Sequence, residues 1–261
     1  MAQSEEAASK PTGRVQSVER AFELLEALAD GGGTLTLSEL ADQSKLSLPT
    51  VHRLIRTLSD HGYVRQREDR RYSLGSRLMR LGDGASTQLG VFARPQLAWL
   101  VAELQESANM AVREADQVLY IAQVPSPHSV RMFTEVGRRA PMHNTGVGKA
   151  ILAQLDDQTV RRIVDQAGMP RATSKTIGTI DELLKHLEMI RQRGYSVDDN
   201  EQEAGVRCYA VSVPNAPSPM AISVSGPTSR VDEAFGMRAV PLLQQAAAVI
   251  GASFTDPGSA R

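Results

Sequence analysis

Three groups of residues carry side chains fit for chemistry. The first is the segment LPTVHRLIRTL (48–58), whose apolar members recur every three or four positions and leave Pro49, Thr50, His52, Arg53, Arg56 and Thr57 on the other side. Arginine can bond guanine bidentately, and threonine or histidine can meet base edges or phosphates, so a helix with this outward face fits the major groove of duplex DNA. The second is PMHNTGVGKAILAQL (141–155), where Gly146-Val147-Gly148 opens an apolar helix. Free N–H groups at a helix start favour an anion, and glycine permits its close approach. A nucleotide phosphate loop is excluded, because His143 stands five residues before Gly148 where that motif needs glycine, and Ala150 follows Lys149 where it needs serine or threonine. The third group is Cys208 with Ser223 and Ser225, two hydroxyls at i and i+2 on one side of the strand-like AISVSG.

Each group has a plainer reading. Gly146 and Gly148 also suit tight packing, Cys208 between Val206 and Tyr209 also reads as a small buried hydrophobe, and the serines as ordinary strand residues. An enzyme using Cys208 as nucleophile with His143 as base needs an activation that spacing does not reveal. A protein-interaction adaptor is a further alternative for the helical segment.

The bulk properties narrow the classes. With 261 residues, 41% hydrophobic and 23% charged, the chain reads as a globular protein of one large or two ordinary domains. No run approaches the roughly eighteen apolar residues of a membrane span, and MAQSEEAASKPTG lacks the apolar centre of a secretory signal. The expected compartment is the cytoplasm, with no membrane partner. One cysteine permits no internal disulfide, and the five histidines (His52, His61, His128, His143, His186) show no paired ligand spacing, so no metal or cofactor is expected. The net charge of −1 gives no global argument for nucleic acid. Between Lys45 and Gly75, however, seven basic residues (Lys45, Arg53, Arg56, Arg65, Arg67, Arg70, Arg71) face three acidic ones, a phosphate footprint or a solvated face.

These residues need elements to hold them. Val15, Val18, Phe22, Leu25 and Ala29 repeat at steps of three and four, predicting a first helix that stops at Gly31-Gly32-Gly33. Thr36 and Glu39 form a capping box for a short second helix ending near Ser44. Ser47 is placed to cap a third helix with Pro49 in its first turn, where Val51, Leu54, Ile55 and Leu58 form the inward stripe. YVRQ and RYSL, separated by REDR, read as a small hairpin or wing whose Arg65, Arg67, Arg70 and Arg71 would meet backbone phosphates. Residues 76–107 read as a linker helix and a lead-in helix started by Pro95. Beyond Asn109, VLYIAQV, VRMFTEV, CYAVSVP and AISVSG read as strands, and 147–155, 158–167, 181–193 and 237–252 as helices. The class is α+β: a tail (1–13), a winged helix-turn-helix (14–75), a linker helix (76–90), a mixed domain (91–254) and a tail (255–261).

The stretch VQSVERAFELLEALADGGGTLTLSELADQSKLSLPTVHRLIRTLSDHGYVRQREDRRYSLGSRLMRLG resembles the winged helix-turn-helix of IclR-type bacterial transcriptional regulators. The likeness continues through MHNTGVGKAILA, DDNEQEAGVRC and AISVSGP and covers nearly everything from Val15 to Ile250. It implies a DNA-binding domain that includes Thr36, Ser47 and the residues above, a GAF-like effector-binding domain, and homodimers or homotetramers on palindromic operators, acting as a repressor. It also implies an effector site, as in members that bind glyoxylate or pyruvate. By motif its positions are Gly146 and Val147, Asp198 and Cys208 ten residues apart, Ser223 and Ser225, with Met132 and Val206 as apolar walls. Asp199 rivals Asp198 by one step of register. A carboxylate beside an anionic ligand should have its pKa raised.

Overall fold

The computed structural model describes residues 15–31, 33–132 and 134–255; the expected tail over 1–13 and residues 256–261 lie outside them. The chain divides into two compact units, Met1–Ala85 and Ser86–Arg261.

In the first unit, α1 (Gln16–Asp30), α2 (Leu37–Ser44) and α3 (Leu48–Asp60) pack around Leu24, Leu28, Leu40, Val51 and Ile55. The face of α1 differs from the expected one. Leu24 and Leu28 are fully buried, whereas Val15, Val18 and Phe22 are 62, 49 and 61% exposed. The apolar band on α1 is wide, and packing against α2 and α3 selects its leucine side. The capping box forms as the sequence predicts: the Glu39 N–H donates to Thr36 Oγ1 (3.2 Å) and the Thr36 N–H to Glu39 Oε2 (2.7 Å). Those bonds hold the Glu39 carboxyl below its usual range. Lys45 ends α2 in the left-handed region (φ 55°), turning the chain sharply into α3. Ser47 precedes α3 in extended conformation, but its hydroxyl meets Thr50 Oγ1 (2.9 Å) rather than a backbone N–H. The wing is the antiparallel pair β1 (Val64–Gln66) and β2 (Tyr72–Leu74), with Leu35 bridging to Tyr72.

α4 (Arg77–Leu104) is one continuous helix with Pro95 inside it, not two helices with Pro95 as a start. The second unit is built on a six-stranded antiparallel sheet in the order β5-β4-β3-β8-β7-β6, from β3 (Ser107–Glu114), β4 (Gln117–Val124), β5 (Arg139–Pro141), β6 (Ser196–Asp199), β7 (Val206–Ser212) and β8 (Met220–Pro227). Strands β3, β5 and β6 were absent from the sequence expectation. β3 is buried through most of its length, so it shows no alternation of apolar and polar residues. VRMFTEV is not a strand: its described residues are irregular, Val130 and Val136 are exposed, and β5 takes the place beside β4.

Side chains of alternate strand residues divide between the two faces. On one face Met110, Tyr209, Ile222 and Val224 pack against α4 and α8 (Glu233–Thr255), which includes Pro241 and runs to the last described residue. On the other face Ala111, Tyr120, Ala210 and Ala221 pack against α5 (Gly146–Leu152), α6 (Asp157–Ala167) and α7 (Ile180–Arg193). That second face carries the polar residues described next.

Candidate functional site

Asp198, Cys208, Ser225 and Ser107 stand directly opposite one another across β6, β7, β8 and β3. Cross-strand partners share a face, so the four form one polar row. Two residues along each strand, Ser196, Ala210, Ser223 and Asn109 form a parallel row. All of these side chains are buried. Apart from Cys208 and Ala210 the set is polar, an expensive composition for a domain interior unless each group is satisfied or the row meets a ligand. Val206 begins β7 on the same face and is half-buried. α5 closes over the row so closely that a Cβ on Gly146 would lie 2.8 Å from Cys208 Sγ, and one on Gly148 would lie 2.3 Å from the Met142 carbonyl oxygen. Both glycines are required by packing. The Thr145 hydroxyl, capping α5, accepts from the Gly148 N–H (3.1 Å).

Burial shifts both titratable groups of the row towards their neutral forms. Burial pushes the Asp198 carboxyl up to about 7, although its Oδ1 accepts the Glu201 (2.8 Å) and Gln202 (3.3 Å) N–H groups. Burial pushes the Cys208 thiol up to about 12; the Asp198 charge adds to this and a Ser223 hydrogen bond opposes it. Burial likewise raises the Tyr120 phenol, which senses Cys208 and Asp198 and so lies near them. Asp199 turns the other way: it pairs with Arg207 (2.7 Å) and Lys175 (3.0 Å), and those partners outweigh burial and lower its pKa. Asp198 is therefore the acid on the face of Cys208.

Met132 is half-buried, and its carbonyl accepts from Ser107 Oγ (2.7 Å), the atom that also receives the Ser126 N–H (3.0 Å). The Asn109 amide donates to Ser225 Oγ (3.3 Å). Sequence reasoning missed Ser107, Asn109 and Tyr120. Once SANMAVRE is taken as a strand, Ser107 and Asn109 at i and i+2 repeat the signal that Ser223 and Ser225 gave. Sequence reasoning also missed Lys149, which is fully buried.

His143 is not placed to activate Cys208. Its Nε2 meets the Pro170 carbonyl (3.1 Å), burial lowers its pKa, and Cys208 Sγ lies 3.9 Å from the Tyr209 carbonyl as its hydrogen-bond partner. Among the described residues no group of three His, Cys, Asp or Glu side chains could hold a metal ion, and no helix is long and apolar enough to cross a membrane. A cavity of about 600 Å³ opens on the opposite face of the sheet, lined by Tyr195, Tyr209 and Val240 among others, away from the polar row.

In the first unit the face of α3 stands as the periodicity predicts. Pro49, His52, Arg53, Arg56 and Thr57 are exposed, Thr50 is half-buried, and Val51 and Ile55 turn inward. Thr36 is occupied by its cap. On the wing Arg65, Arg67 and Arg70 are exposed, Arg67 with Asp69 3.8 Å away. Arg71 is turned inward, donating to Glu39 Oε2 (2.9 Å) and the Thr34 carbonyl (3.0 Å), so its guanidinium ties the wing to α2.

Residues 17–68 match the IclR helix-turn-helix domain, and residues 85–252 match the domain described as bacterial transcriptional regulator IclR C-terminal. The chain is 36% identical over 234 residues to the transcriptional repressor IclR of Escherichia coli, covering 87% of this chain and 85% of that one. It is 35% identical over 238 residues to the HTH-type transcriptional regulator KdgR of Dickeya chrysanthemi, covering 89% and 78%. The crystal structure of Thermotoga maritima IclR superimposes with a TM-score of 0.62 at 24% identity, covering 93% of this chain and all of that one, a likeness of fold.

Proposed function

Because the chain belongs to the IclR family of bacterial transcriptional regulators, we propose that the exposed face of α3 reads an operator in duplex DNA and that the buried row from Asp198 to Ser225 receives a small 2-oxo carboxylate. The protein is a DNA-binding transcriptional regulator with an effector-binding domain. The observation that supports the ligand class is the buried polar row itself, whose burial favours the protonated forms of Asp198 and Cys208. Asp198 below about pH 7, the Cys208 thiol, the Ser223 and Ser225 hydroxyls and the Tyr120 phenol are all neutral donors. Such a set suits an acceptor-rich anion, whose burial is tolerated when each oxygen is hydrogen-bonded. Val206 and Met132 would be its apolar walls.

The same features argue against catalysis: burial keeps the thiol protonated, His143 is engaged with the Pro170 carbonyl, and a metabolite that is bound without turnover meets the needs of a regulator. His52, Arg53, Arg56 and Thr50 would lie in the major groove, with Ser47 and Pro49 at the helix entry and Arg65, Arg67 and Arg70 on phosphates. Two copies on a palindromic operator in the cytoplasm, as a dimer or a pair of dimers, match half-sites at a fixed spacing. An effector that prefers one arrangement of the copies alters operator affinity by its differential binding, typically about 1–3 kcal/mol. The test is a thermal-shift screen of small carboxylates followed by operator titration with each hit. Stabilisation by a 2-oxo acid, absent in Cys208→Ala/Ser223→Ala, supports the assignment; undiminished stabilisation in that variant overturns it.

A further inference from the structure

We propose that Lys149 is a positioning residue of the effector site, the side chain that fastens the turn bearing Asp198 to the helix bearing Gly146 and Val147. This rests on the effector reading above. Lys149 is the largest wholly buried side chain of the protein's described residues and lies one turn beyond Gly146 on α5. Its Nζ donates to the Val197 carbonyl (2.6 Å), immediately before Asp198, and pairs with the buried carboxylate of Glu201. Glu201 in turn gives its N–H to Asp198 Oδ1 (2.8 Å). One ammonium group thus grips both ends of the segment that aims the Asp198 carboxyl. A second bond runs alongside: Ser196 Oγ donates to the Gly146 carbonyl (2.6 Å). From the far side Thr176 Oγ1 donates to the Glu201 carbonyl (2.6 Å) and Thr173 Oγ1 to that of Asn200 (2.6 Å).

Stability does not explain such a pair. Removing two charges from water is costly, and replacing a buried ion pair by apolar side chains of similar volume often leaves stability unchanged or raises it. Glu201 Oε2, moreover, is buried without a hydrogen-bond partner, so the carboxylate is not fully compensated by the fold. What apolar side chains cannot supply is direction: donors and acceptors that hold Val197, Asp198 and Glu201 in one register against α5. The two partners lie 52 residues apart, one in the GVGKAILA segment and one in DDNEQEAGVRC, so the pair joins the two stretches that form opposite walls of the site.

The experiment compares the full chain with Lys149→Arg and with the double variant Lys149→Met/Glu201→Met. Amide hydrogen exchange at Glu201 and Gln202 is followed without ligand, and glyoxylate binding by calorimetry. The double variant is expected to fold and to keep ligand-free operator affinity. Its two turn amides should exchange about tenfold faster or more while the strand amides hold. Its glyoxylate affinity should fall about tenfold, the scale on which supporting partners act, with Lys149→Arg recovering part of both losses. Unchanged exchange at Glu201 and Gln202, or loss of the whole fold in the double variant, overturns the proposal. If the unmodified protein does not bind glyoxylate, the 2-oxo acid reading has failed for this ligand, and the exchange measurement alone decides for or against Lys149.

Discussion

Replacing Gly146 by alanine tests the closeness of α5 to the polar row. The new Cβ would lie 2.8 Å from Cys208 Sγ, while Cys208 Cβ and Ala210 Cβ, at 3.4 and 3.5 Å, are near ordinary contact. Optimal non-bonded separations are about 3.5–4.0 Å, so the sulfur must retreat by about 0.7 Å or more. Neither partner moves freely, because α5 is buried along its length and β7 is hydrogen-bonded between two strands. Overpacking of this kind costs roughly 1–3 kcal/mol. Cys208→Ala alone removes a buried sulfur and should cost about 1 kcal/mol. In the double variant the clash is gone and the added methyl fills the vacated space, so the two changes should couple favourably by about 1–2 kcal/mol. Urea unfolding followed by fluorescence reads this directly, because Trp99 is the only tryptophan and packs against the core of the second unit. Costs that add within about 0.5 kcal/mol would show that α5 does not bear on Cys208, and the geometry of the site would have to be redrawn.

Other consequences concern charge. Asp198, ordinarily near 3.8, is raised to about 7, so the neutral form is favoured in the fold. The stability that this group contributes is full below its unfolded pKa and is lost as pH rises towards about 7. An anionic effector favours the same protonated form, so calorimetry should show affinity level below pH 7 and falling about tenfold per pH unit above it, with Asp198→Asn flattening the profile. A profile level through pH 9 in the unmodified protein would contradict this. Arg53→Ala should weaken specific operator binding by roughly 1–3 kcal/mol, and an unchanged footprint titration would remove Arg53 from the groove. Arg65→Ala or Arg70→Ala should lower the slope of log affinity against log salt by about 0.9 each. Arg71→Ala should instead lower the melting temperature of the first unit and leave the slope unchanged; a lower slope would mean that Arg71 leaves Glu39 for DNA.

The first unit was largely legible from local signals. The Thr36 and Glu39 cap, Pro49 near the start of α3 and the Val51 and Ile55 stripe are short-range features that the structure keeps. The face of α1 was misjudged because a helix with apolar residues on more than one side leaves the choice to its neighbours, and these took Leu24 and Leu28. In the second unit the failures share a cause: long-range pairing is silent in the sequence. β3 hid Ser107 and Asn109 because a buried central strand has no alternation. Lys149 gave no signal in the sequence as a site residue because its partners lie 48 and 52 positions away. Pro95 read as a helix start, whereas α4 continues through it. Asp198 and Cys208 were placed by the family pattern, and the strand register now sets them opposite each other.

The most direct test is to titrate the purified chain onto labelled duplex from the promoter of its own gene, at low and moderate salt, with and without glyoxylate or pyruvate. Saturable binding that prefers this duplex over an unrelated one, shifts with a 2-oxo acid and is lost in Arg53→Ala/Arg56→Ala is the predicted result. Equal indifference to both duplexes at low salt, whatever metabolite is present, would contradict the account at its centre.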